Sequence, residues 1–171
     1  AWLRKAVGWV VNIVVAIACG WFLVYGFGEQ ILISGNSMQP QLSAQDVVLM
    51  NRIIYVTGTP DRFDVVVFER EDGKKNVKRI IGLPGETVQI KDGLVYINGE
   101  ALKDDKMGEV SLAGRAAEPV RLGEKEYFLL GDNRSSSEDS RFPNIGNVKR
   151  EQILGKVWFR MLPLLKLGFV S

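Results

Sequence analysis

The sequence of 171 residues contains no histidine. A serine hydroxyl becomes an effective nucleophile only when a neighbouring base removes its proton, and histidine is the commonest such base. The absence excludes a Ser-His-Asp mechanism, and it also excludes every zinc site that needs an imidazole ligand. The strongest neutral base that remains is a lysine amine. If this protein is a hydrolase, a serine–lysine pair is therefore the simplest arrangement.

Cysteine and net charge are also scarce. Cys19 is the single cysteine, so the chain can form neither an intrachain disulfide nor a thiolate cluster, and we expect no metal and no other cofactor. The net charge of +2 is too small to indicate a nucleic-acid partner. Short basic pairs such as Lys74-Lys75 are typical of a solvated surface. We therefore expect no nucleic acid among the partners.

One long apolar segment dominates the N-terminal part. Residues 6–28 contain 23 residues without a charge, and about 20 suffice to cross a bilayer. The alternatives are a buried core helix and a cleaved signal sequence, but the latter has only ~7–15 apolar residues before a small-residue cleavage site. Arg4 and Lys5 precede the segment. We predict a single-pass anchor in the cell membrane, with residues 1–5 cytoplasmic and residues 29–171 outside the cytoplasm.

Short β-rich stretches separated by turn residues follow this segment. We predict a mainly β fold, in which the transmembrane helix is followed by an all-β domain. Asp92-Gly93 between two apolar stretches indicates a β-hairpin, and we expect residues 98–126 to form a small inserted lobe. The predicted strands are Ile31–Ser34, Val47–Asn51, Asp64–Glu69, Val77–Ile81, Thr87–Lys91, Leu94–Ile97, Tyr127–Leu130 and Lys156–Arg160.

The C-terminal stretch 157–170 is also apolar, but Arg160, Pro163 and Lys166 interrupt it. These residues argue against a second membrane span. We expect a final core strand followed by a tail on the surface, and contact of this tail with the bilayer is left open.

Three polar segments occur in order beyond the apolar one. Their sequences are SGNSMQPQL at 34–42, NVKRIIGLPG at 76–85 and GDNRSSSEDSR at 131–141. Together they resemble the conserved boxes of bacterial type I signal peptidases, the serine–lysine leader peptidase family, in its small single-span Gram-positive-like form. The resemblance extends from the anchor to about Arg160. One box alone is a weak signal, whereas three in order behind a membrane segment are specific.

This resemblance implies a Ser–Lys dyad formed by Ser37 and Lys78. Ser37 would attack the scissile carbonyl, and its backbone N–H would bind the oxyanion. Lys78 would be the general base, although an ordinary lysine has a pKa near ~10.4 and is charged at neutral pH. Lowering this pKa by roughly 2–3 units takes about 3–4 kcal/mol, which burial among apolar groups supplies. Ser137 matches the serine that hydrogen-bonds the lysine amine and orients it.

Further residues match supporting positions of the family. The resemblance implies that Arg79, Asp132, Asp139 and Arg141 form ion pairs that shape the site. Gly35 stands where some members of the family carry a serine whose hydroxyl helps to bind the oxyanion, and other members also have glycine there. The second oxyanion donor is therefore left open.

The resemblance also implies how a substrate is recognised. Signal peptides carry small residues at the first and third positions before the cut, and shallow apolar pockets select them because larger side chains would clash. Ile33 and Val77 match positions that line these pockets, and we expect Met38 nearby. An extended substrate would lie beside the Ile31–Ser34 strand and add main-chain hydrogen bonds.

The function implied is that of a membrane-bound serine endopeptidase that removes N-terminal signal peptides from exported preproteins. Its partners would be those preproteins and membrane lipid, close to the secretion translocon. One alternative is a dedicated processing peptidase with few substrates. Another is a non-catalytic, membrane-tethered β-domain that binds peptides without turnover. Self-cleaving serine–lysine repressors share the chemistry, but the N-terminal anchor argues against a cytosolic regulator.

Overall fold

The first element of the structure, a computed structural model, is a long apolar helix. The structure describes residues 2–170, without the side chains of residues 3 and 23–27. Helix α1 is Trp2–Phe27, and its part Arg4–Phe22 has the length and composition of a membrane span. That span is 0% buried against the rest of the described protein, so it is not the core helix of a soluble domain. The helix begins before the predicted start at residue 6.

Strands form most of the remaining structure. Helix α1 continues directly into the first of them without a linker. The strands are β1 Gly28–Leu32, β2 Val47–Asn51, β3 Val65–Glu69, β4 Lys75–Gly82, β5 Thr87–Lys91, β6 Leu94–Ile97, β7 Glu100–Ala101, β8 Val120–Arg121, β9 Glu126–Leu130, β10 Val148–Lys149, β11 Ile153–Leu162 and β12 Gly168–Phe169. The helical turns are α2 Ile54–Thr57 and the 3₁₀ segments Gly114–Ala117, Arg150–Gln152 and Leu164–Lys166.

The strands form two antiparallel sheets. The larger has the order β1-β2-β11-β3-β4-β9-β10, with β12 paired to β11, and the smaller has the order β7-β6-β5-β8. Strand β1 therefore lies at an edge of the larger sheet and has β2 as its neighbour. The predicted mainly β fold is confirmed. The smaller sheet begins at Thr87, before the predicted start of the lobe at residue 98, because the hairpin β5–β6 belongs to it.

Several predicted strands match the observed bounds, and the first one does not. Strands β2, β5 and β6 have the predicted bounds. The hairpin turn has φ of 50° at Asp92 and 77° at Gly93, as a type I′ turn requires. Strand β1 was predicted at Ile31–Ser34 but begins at Gly28, because it pairs with β2 from the point where the helix ends. The backbone of Ile33 still bonds to that of Asp46 beyond the strand end.

Gly82 at the end of β4 lies where the smaller sheet packs onto the larger one. A Cβ atom at this position would lie 2.5 Å from Cγ2 of Val88, 2.8 Å from Cδ1 of Leu122 and 2.9 Å from Cβ of Phe128. These three residues are buried in one apolar cluster that joins the two sheets. The contact therefore depends on the absence of a side chain at residue 82.

We predict that Gly82→Ala lowers the free energy of unfolding by about 2 kcal/mol, because an added methyl group forces packed side chains apart. Gly168→Ala is the matched control, since a Cβ there has nothing within 4 Å. Denaturant unfolding in detergent micelles measures both. Equal stability of the two variants would contradict the proposed tight contact between the sheets.

Candidate active site

A tight turn after β1 presents Ser37. The backbone N–H of Leu42 donates to the carbonyl of Met38 at 2.8 Å, and that of Gln39 donates to the carbonyl of Asn36 at 3.1 Å. Met38 and Leu42 are fully buried, so the two apolar side chains fix the turn to the core while Ser37 remains at the surface of a cleft.

Lys78 reaches the same cleft from the middle of β4. Its Nζ atom lies 2.7 Å from Oγ of Ser37 and 3.2 Å from the carbonyl oxygen of Val77. The residue is only 4% exposed. The two side chains that the sequence placed in different motifs are therefore in direct hydrogen-bond contact. A proton can pass between the serine hydroxyl and a neutral amine over this distance.

Burial lowers the pKa of Lys78 to about 8, because a charged amine loses hydration there. The carboxylates of Asp139 and Glu138 act in the opposite direction and favour the ammonium form. The net result is a lysine whose neutral form is accessible near neutral pH, as a general base requires.

The hydroxyl of Ser137 does not make the hydrogen bond to Lys78 that the resemblance implied. Among the described residues its buried Oγ has no hydrogen-bond partner. It faces Gly131, where a Cβ atom would lie 2.5 Å from both Cβ of Ser137 and the carbonyl oxygen of Ser37. The lysine amine is instead directed toward Ser37 and the carbonyl of Val77. The loop thus packs closely against the turn that carries Ser37, and among the described residues the buried hydroxyl of Ser137 stays unpaired, which is rare in proteins.

Two buried ion pairs flank the dyad. Nε and Nη2 of Arg79 each lie 2.8 Å from a carboxylate oxygen of Asp132. Nε and Nη2 of Arg141 bind Asp139 at 2.7 and 2.9 Å, and Asp139 also accepts the N–H of Gly131 at 3.0 Å. Exposed fractions of these charged side chains are 3% or less. Removing one partner from either pair would leave an uncompensated buried charge.

The guanidinium group of Arg141 also binds three backbone carbonyls. They belong to Leu112 at 3.0 Å, Arg134 at 2.7 Å and Ser137 at 3.2 Å. Because two of these carbonyls lie in the loop 131–141 and the third lies in the segment before residue 114, this one side chain fixes the loop that borders the dyad.

The cleft at Ser37 is a narrow cavity of about 100 Å³. Ile33, Met38 and Val77, the three residues expected at a substrate pocket, all line this cavity. Lys75 on β4 also lines the cavity, and its Nζ forms an ion pair of 2.8 Å with Glu29 on β1. The hydrogen bond from Lys75 lowers the pKa of Glu29. The cleft therefore lies between the free edge of β1 and the start of β4.

Comparison with known proteins decides the family. The chain matches the family described as "Signal peptidase, peptidase S26" over residues 6–162. It belongs to this signal peptidase family. The probable signal peptidase I-2 of Synechocystis sp. is 34% identical over 179 aligned positions, which cover 99% of this chain and 78% of that protein. Signal peptidase I T of Bacillus subtilis is 35% identical over 166 positions, covering 91% and 84%.

A solved structure is also similar. The crystal structure of a signal peptidase I from Enterococcus faecalis V583 is 35% identical, with a TM-score of 0.50, and covers 58% of this chain and 97% of that chain. The family consists of membrane-anchored serine endopeptidases that generally use a Ser–Lys dyad. The predicted family, fold class and enzyme class are confirmed.

Two further contacts of this signal peptidase family member escaped the sequence reasoning. Asn133 donates from its backbone N to the carbonyl of Ser37 at 3.0 Å and from Nδ2 to the carbonyl of Asn36 at 3.1 Å. Asp105, which lies between β7 and the 3₁₀ segment Gly114–Ala117, accepts two hydrogen bonds from Arg134, at 2.8 and 2.9 Å. The position of Asn133 and Arg134 inside the third motif could have indicated that they contact the site. No local sequence pattern indicates such a contact for Asp105.

The described residues include no group of three or more histidine, cysteine, aspartate or glutamate side chains that could hold a metal ion. The catalytic groups proposed below are all side chains and backbone groups of the chain itself.

We predict that Lys78→Met stabilises the fold by up to about 3 kcal/mol below pH 8, because it removes a buried ammonium. The folded-state pKa of Lys78 is below the unfolded value, so its destabilising effect is complete below pH 8. The effect declines as the pH rises from about 8 to the unfolded pKa near ~10.4. Thermal unfolding of both proteins between pH 6 and 10.5 measures the difference.

The control is Lys91→Met, because Lys91 lies on β5 and is exposed. Its stability relative to wild type should change little with pH. A constant difference between wild type and Lys78→Met across the pH range would contradict a buried lysine with a lowered pKa.

Proposed function

We propose that this protein removes signal peptides from exported preproteins, with Ser37 as the nucleophile and Lys78 as the general base. The observation that carries the proposal is the 2.7 Å contact between Nζ of Lys78 and Oγ of Ser37 in a buried setting. A solvated lysine would be charged and unable to accept the proton, whereas burial holds the pKa of Lys78 at about 8.

The reaction follows from these positions. The neutral Lys78 amine takes the proton of Ser37 as its oxygen attacks the scissile carbonyl, and the backbone N–H of Ser37 binds the oxyanion that forms. The lysine ammonium then protonates the leaving amine, and an acyl-enzyme remains on Ser37. Water, deprotonated by Lys78, releases the signal peptide. Asp139 and Glu138 stabilise the ammonium in both steps because their charges favour it.

The small size of the cleft supports cleavage after small residues. Ile33, Met38 and Val77 leave space only for small side chains, which fits cleavage after small residues at positions −1 and −3. Backbone groups alternate in direction along a strand. Since those of Ile33 bond to the segment before β2, those of Leu32 and Ser34 face the cleft. An extended peptide adds to this edge by main-chain hydrogen bonds.

The membrane arrangement is part of the same proposal. The basic residues Arg4 and Lys5 keep the N-terminus in the cytoplasm, so α1 crosses the membrane once and the β domain lies outside the cytoplasm. Preproteins that emerge from the secretion translocon reach the domain at the lipid surface. The apolar tail with Leu164, Leu165 and Phe169 is strongly exposed, which favours contact with lipid.

We predict that Ser37→Ala and Lys78→Ala each reduce cleavage of a preprotein by at least about 1,000-fold, because each removes one half of the catalytic pair. The assay uses purified full chain in detergent with phospholipid, and a preprotein with an Ala-x-Ala site. The matched controls are Ser135→Ala and Lys74→Ala, which change exposed residues outside the cleft.

Activity that survives Lys78→Ala would exclude Lys78 as the base. If the wild type cleaves one preprotein among many, the dedicated processing peptidase is the better description. If it binds signal peptides and cleaves none of them, the non-catalytic binding domain replaces the proposal.

We predict that kcat/KM rises with pH up to a plateau above about pH 8, because only the neutral Lys78 amine accepts the proton of Ser37. At pH 7 about one tenth of the amine is neutral, and each further unit of acidity lowers the rate about tenfold. Initial rates on a soluble peptide between pH 6 and 10 test this. A midpoint near ~10.4 would show an ordinary solvated lysine.

A further inference from the structure

A third ion pair is formed by the loop 131–141, which also carries the carboxylates of the two buried pairs. Nη1 of Arg70 lies 3.2 Å from a carboxylate oxygen of Glu138, and Nδ2 of Asn144 donates to the same carboxylate. Nε of Arg70 lies 3.7 Å from Asp72 in its own turn. Each of the three carboxylates of this loop therefore has an arginine of its own.

The third pair differs from the other two in its exposure to solvent. The side chain of Glu138 is 53% exposed and that of Arg70 is 18% exposed, whereas the other two pairs are almost fully buried. Removing one partner of a buried pair leaves an uncompensated charge in the core and destabilises the fold. Either partner of the third pair can be replaced without that cost.

The third pair links the two segments that carry the lysine and the loop. Arg70 lies in the turn between β3 and β4, where its backbone N–H donates to the carbonyl of Lys74 at 2.9 Å. Strand β4 begins at the next residue and carries Lys78. Because Arg70 and Glu138 are 68 residues apart in the sequence, their contact joins the start of the lysine strand to the loop.

Glu138 follows the point at which the loop reaches the dyad. A Cβ atom at Gly131 would lie 2.5 Å from both Cβ of Ser137 and the carbonyl oxygen of Ser37, so Ser137 packs against the turn that carries the nucleophile. Consecutive Cα atoms are only about 3.8 Å apart. The charge of Glu138 is therefore next to the proposed active site, although its side chain reaches solvent.

The charges around the amine act in both directions. Burial is the largest influence on the pKa of Lys78 and lowers it to about 8. The carboxylates of Asp139, Glu138 and Asp132 oppose burial, because a nearby negative charge favours the ammonium. The charge of Arg70 acts in the same direction as burial.

Other charged side chains near Lys78 have partners of their own. These pairs are Asp132–Arg79, Asp139–Arg141 and, at the cavity, Lys75–Glu29. The first two are fixed by burial, and the third joins β4 to β1. The pair of Arg70 with Glu138 is thus the one that combines an influence on the amine with access to solvent.

We propose that Arg70 is a positioning residue for the reaction, which acts by pairing with Glu138 and so limits the attraction of that carboxylate for the Lys78 ammonium. The inference rests on the proposed function, because it concerns the base of that reaction. While Arg70 is present, the negative charge of Glu138 is partly balanced and the neutral amine is available. Without Arg70, the carboxylate holds the proton on the amine to higher pH.

The test compares the pH dependence of kcat/KM on a soluble peptide, between pH 6 and 10, for the full chain in detergent with phospholipid. We expect Arg70→Gln to raise the midpoint by about 0.3–0.5 pH units, which lowers the rate at pH 7 about two- to threefold and leaves the rate at pH 10 unchanged. Glu138→Gln should move the midpoint in the opposite direction and raise the rate at pH 7.

The matched controls are Arg121→Gln and Glu118→Gln, which remove the same charges from exposed residues on or next to β8. Their midpoints should equal that of the wild type. Arg70→Lys retains the positive charge and should restore most of the wild-type midpoint. A loss of rate in Arg70→Gln at every pH, with an unchanged midpoint, would show a merely structural role and overturn the proposal.

A double variant tests whether Arg70 acts through Glu138. In a Glu138→Gln background, Arg70→Gln should move the midpoint less than it does in the wild type, because the carboxylate through which it acts is gone. An equal shift in both backgrounds would contradict the proposed pairing and indicate that Arg70 acts on the amine directly.

A second readout needs no catalysis. The difference in thermal stability between each protein and its own Lys78→Met version declines as the pH rises above the folded-state pKa of Lys78. We expect this decline to begin at a higher pH in Arg70→Gln and at a lower pH in Glu138→Gln. Identical curves in all three proteins would overturn the proposal.

The two readouts separate the proposal from the function on which it rests. If the wild type cleaves no preprotein but the stability curves shift as expected, the proposed function fails and the positioning pair stands. If cleavage requires Ser37 and Lys78 but the variants of Arg70 and Glu138 keep the wild-type midpoint and stability curve, the function stands and the positioning pair fails.

Discussion

The proposed active site depends on keeping one lysine amine out of water beside a serine hydroxyl. The amine of Lys78 is useful as a base only while it is neutral, and an apolar environment is what makes the neutral form accessible. The same environment destabilises the folded protein whenever the amine is charged. Strand β4 reconciles these demands, because Lys78 is buried on it while its amine contacts Oγ of Ser37 and the carbonyl oxygen of Val77.

The charged residues around Lys78 are paired in a way that lets its pKa stay low. Buried carboxylates near an amine would normally return its pKa to high values, yet Asp132 and Asp139 are each neutralised by an arginine of their own. Their remaining charge still favours the ammonium form of Lys78, which the proposed reaction produces. The arginines also bind backbone carbonyls around the site. Charge balance and loop geometry therefore depend on the same side chains.

Much of this site could be predicted because each chemical group lies in a short motif. Ser37 and Lys78 are 41 residues apart, and no local rule brings them together, but the family resemblance does. The predicted lobe, residues 98–126, leaves out the hairpin β5–β6, because a hairpin has the same sequence pattern whichever sheet it joins. That choice depends on long-range packing at Gly82. The direction of the Ser137 hydroxyl depends on its rotamer, which no sequence pattern reports.

The apolar residues Ile53 and Ile54, which are exposed, illustrate a different limit. Composition alone favours burial for such side chains, and only the pairing of Gly28 with Asn51 shows that they lie beside the end of the helix. Conversely, Arg79 and Arg141 are buried although arginine is usually exposed, because each has a carboxylate partner. The partner of Arg79 is Asp132 in the third motif, and that of Arg141 is Asp139, two residues before it.

Because α1 continues directly into β1, the distance between the end of the helix and the cleft is fixed by the length of the strand. The strand rises about 3.3 Å per residue, so the path from Gly28 to Ile33 at the cleft is about 16 Å. A peptide extended beside β1 covers the same path with about five residues of its own. If the apolar segment of a precursor ends at the same depth as α1, the bond that reaches the cleft lies about five residues beyond the end of that segment. Under the proposed function, the length of β1 therefore sets the spacing between the apolar segment of a precursor and the cut, and this spacing is a second criterion of selection beside the size of the side chains.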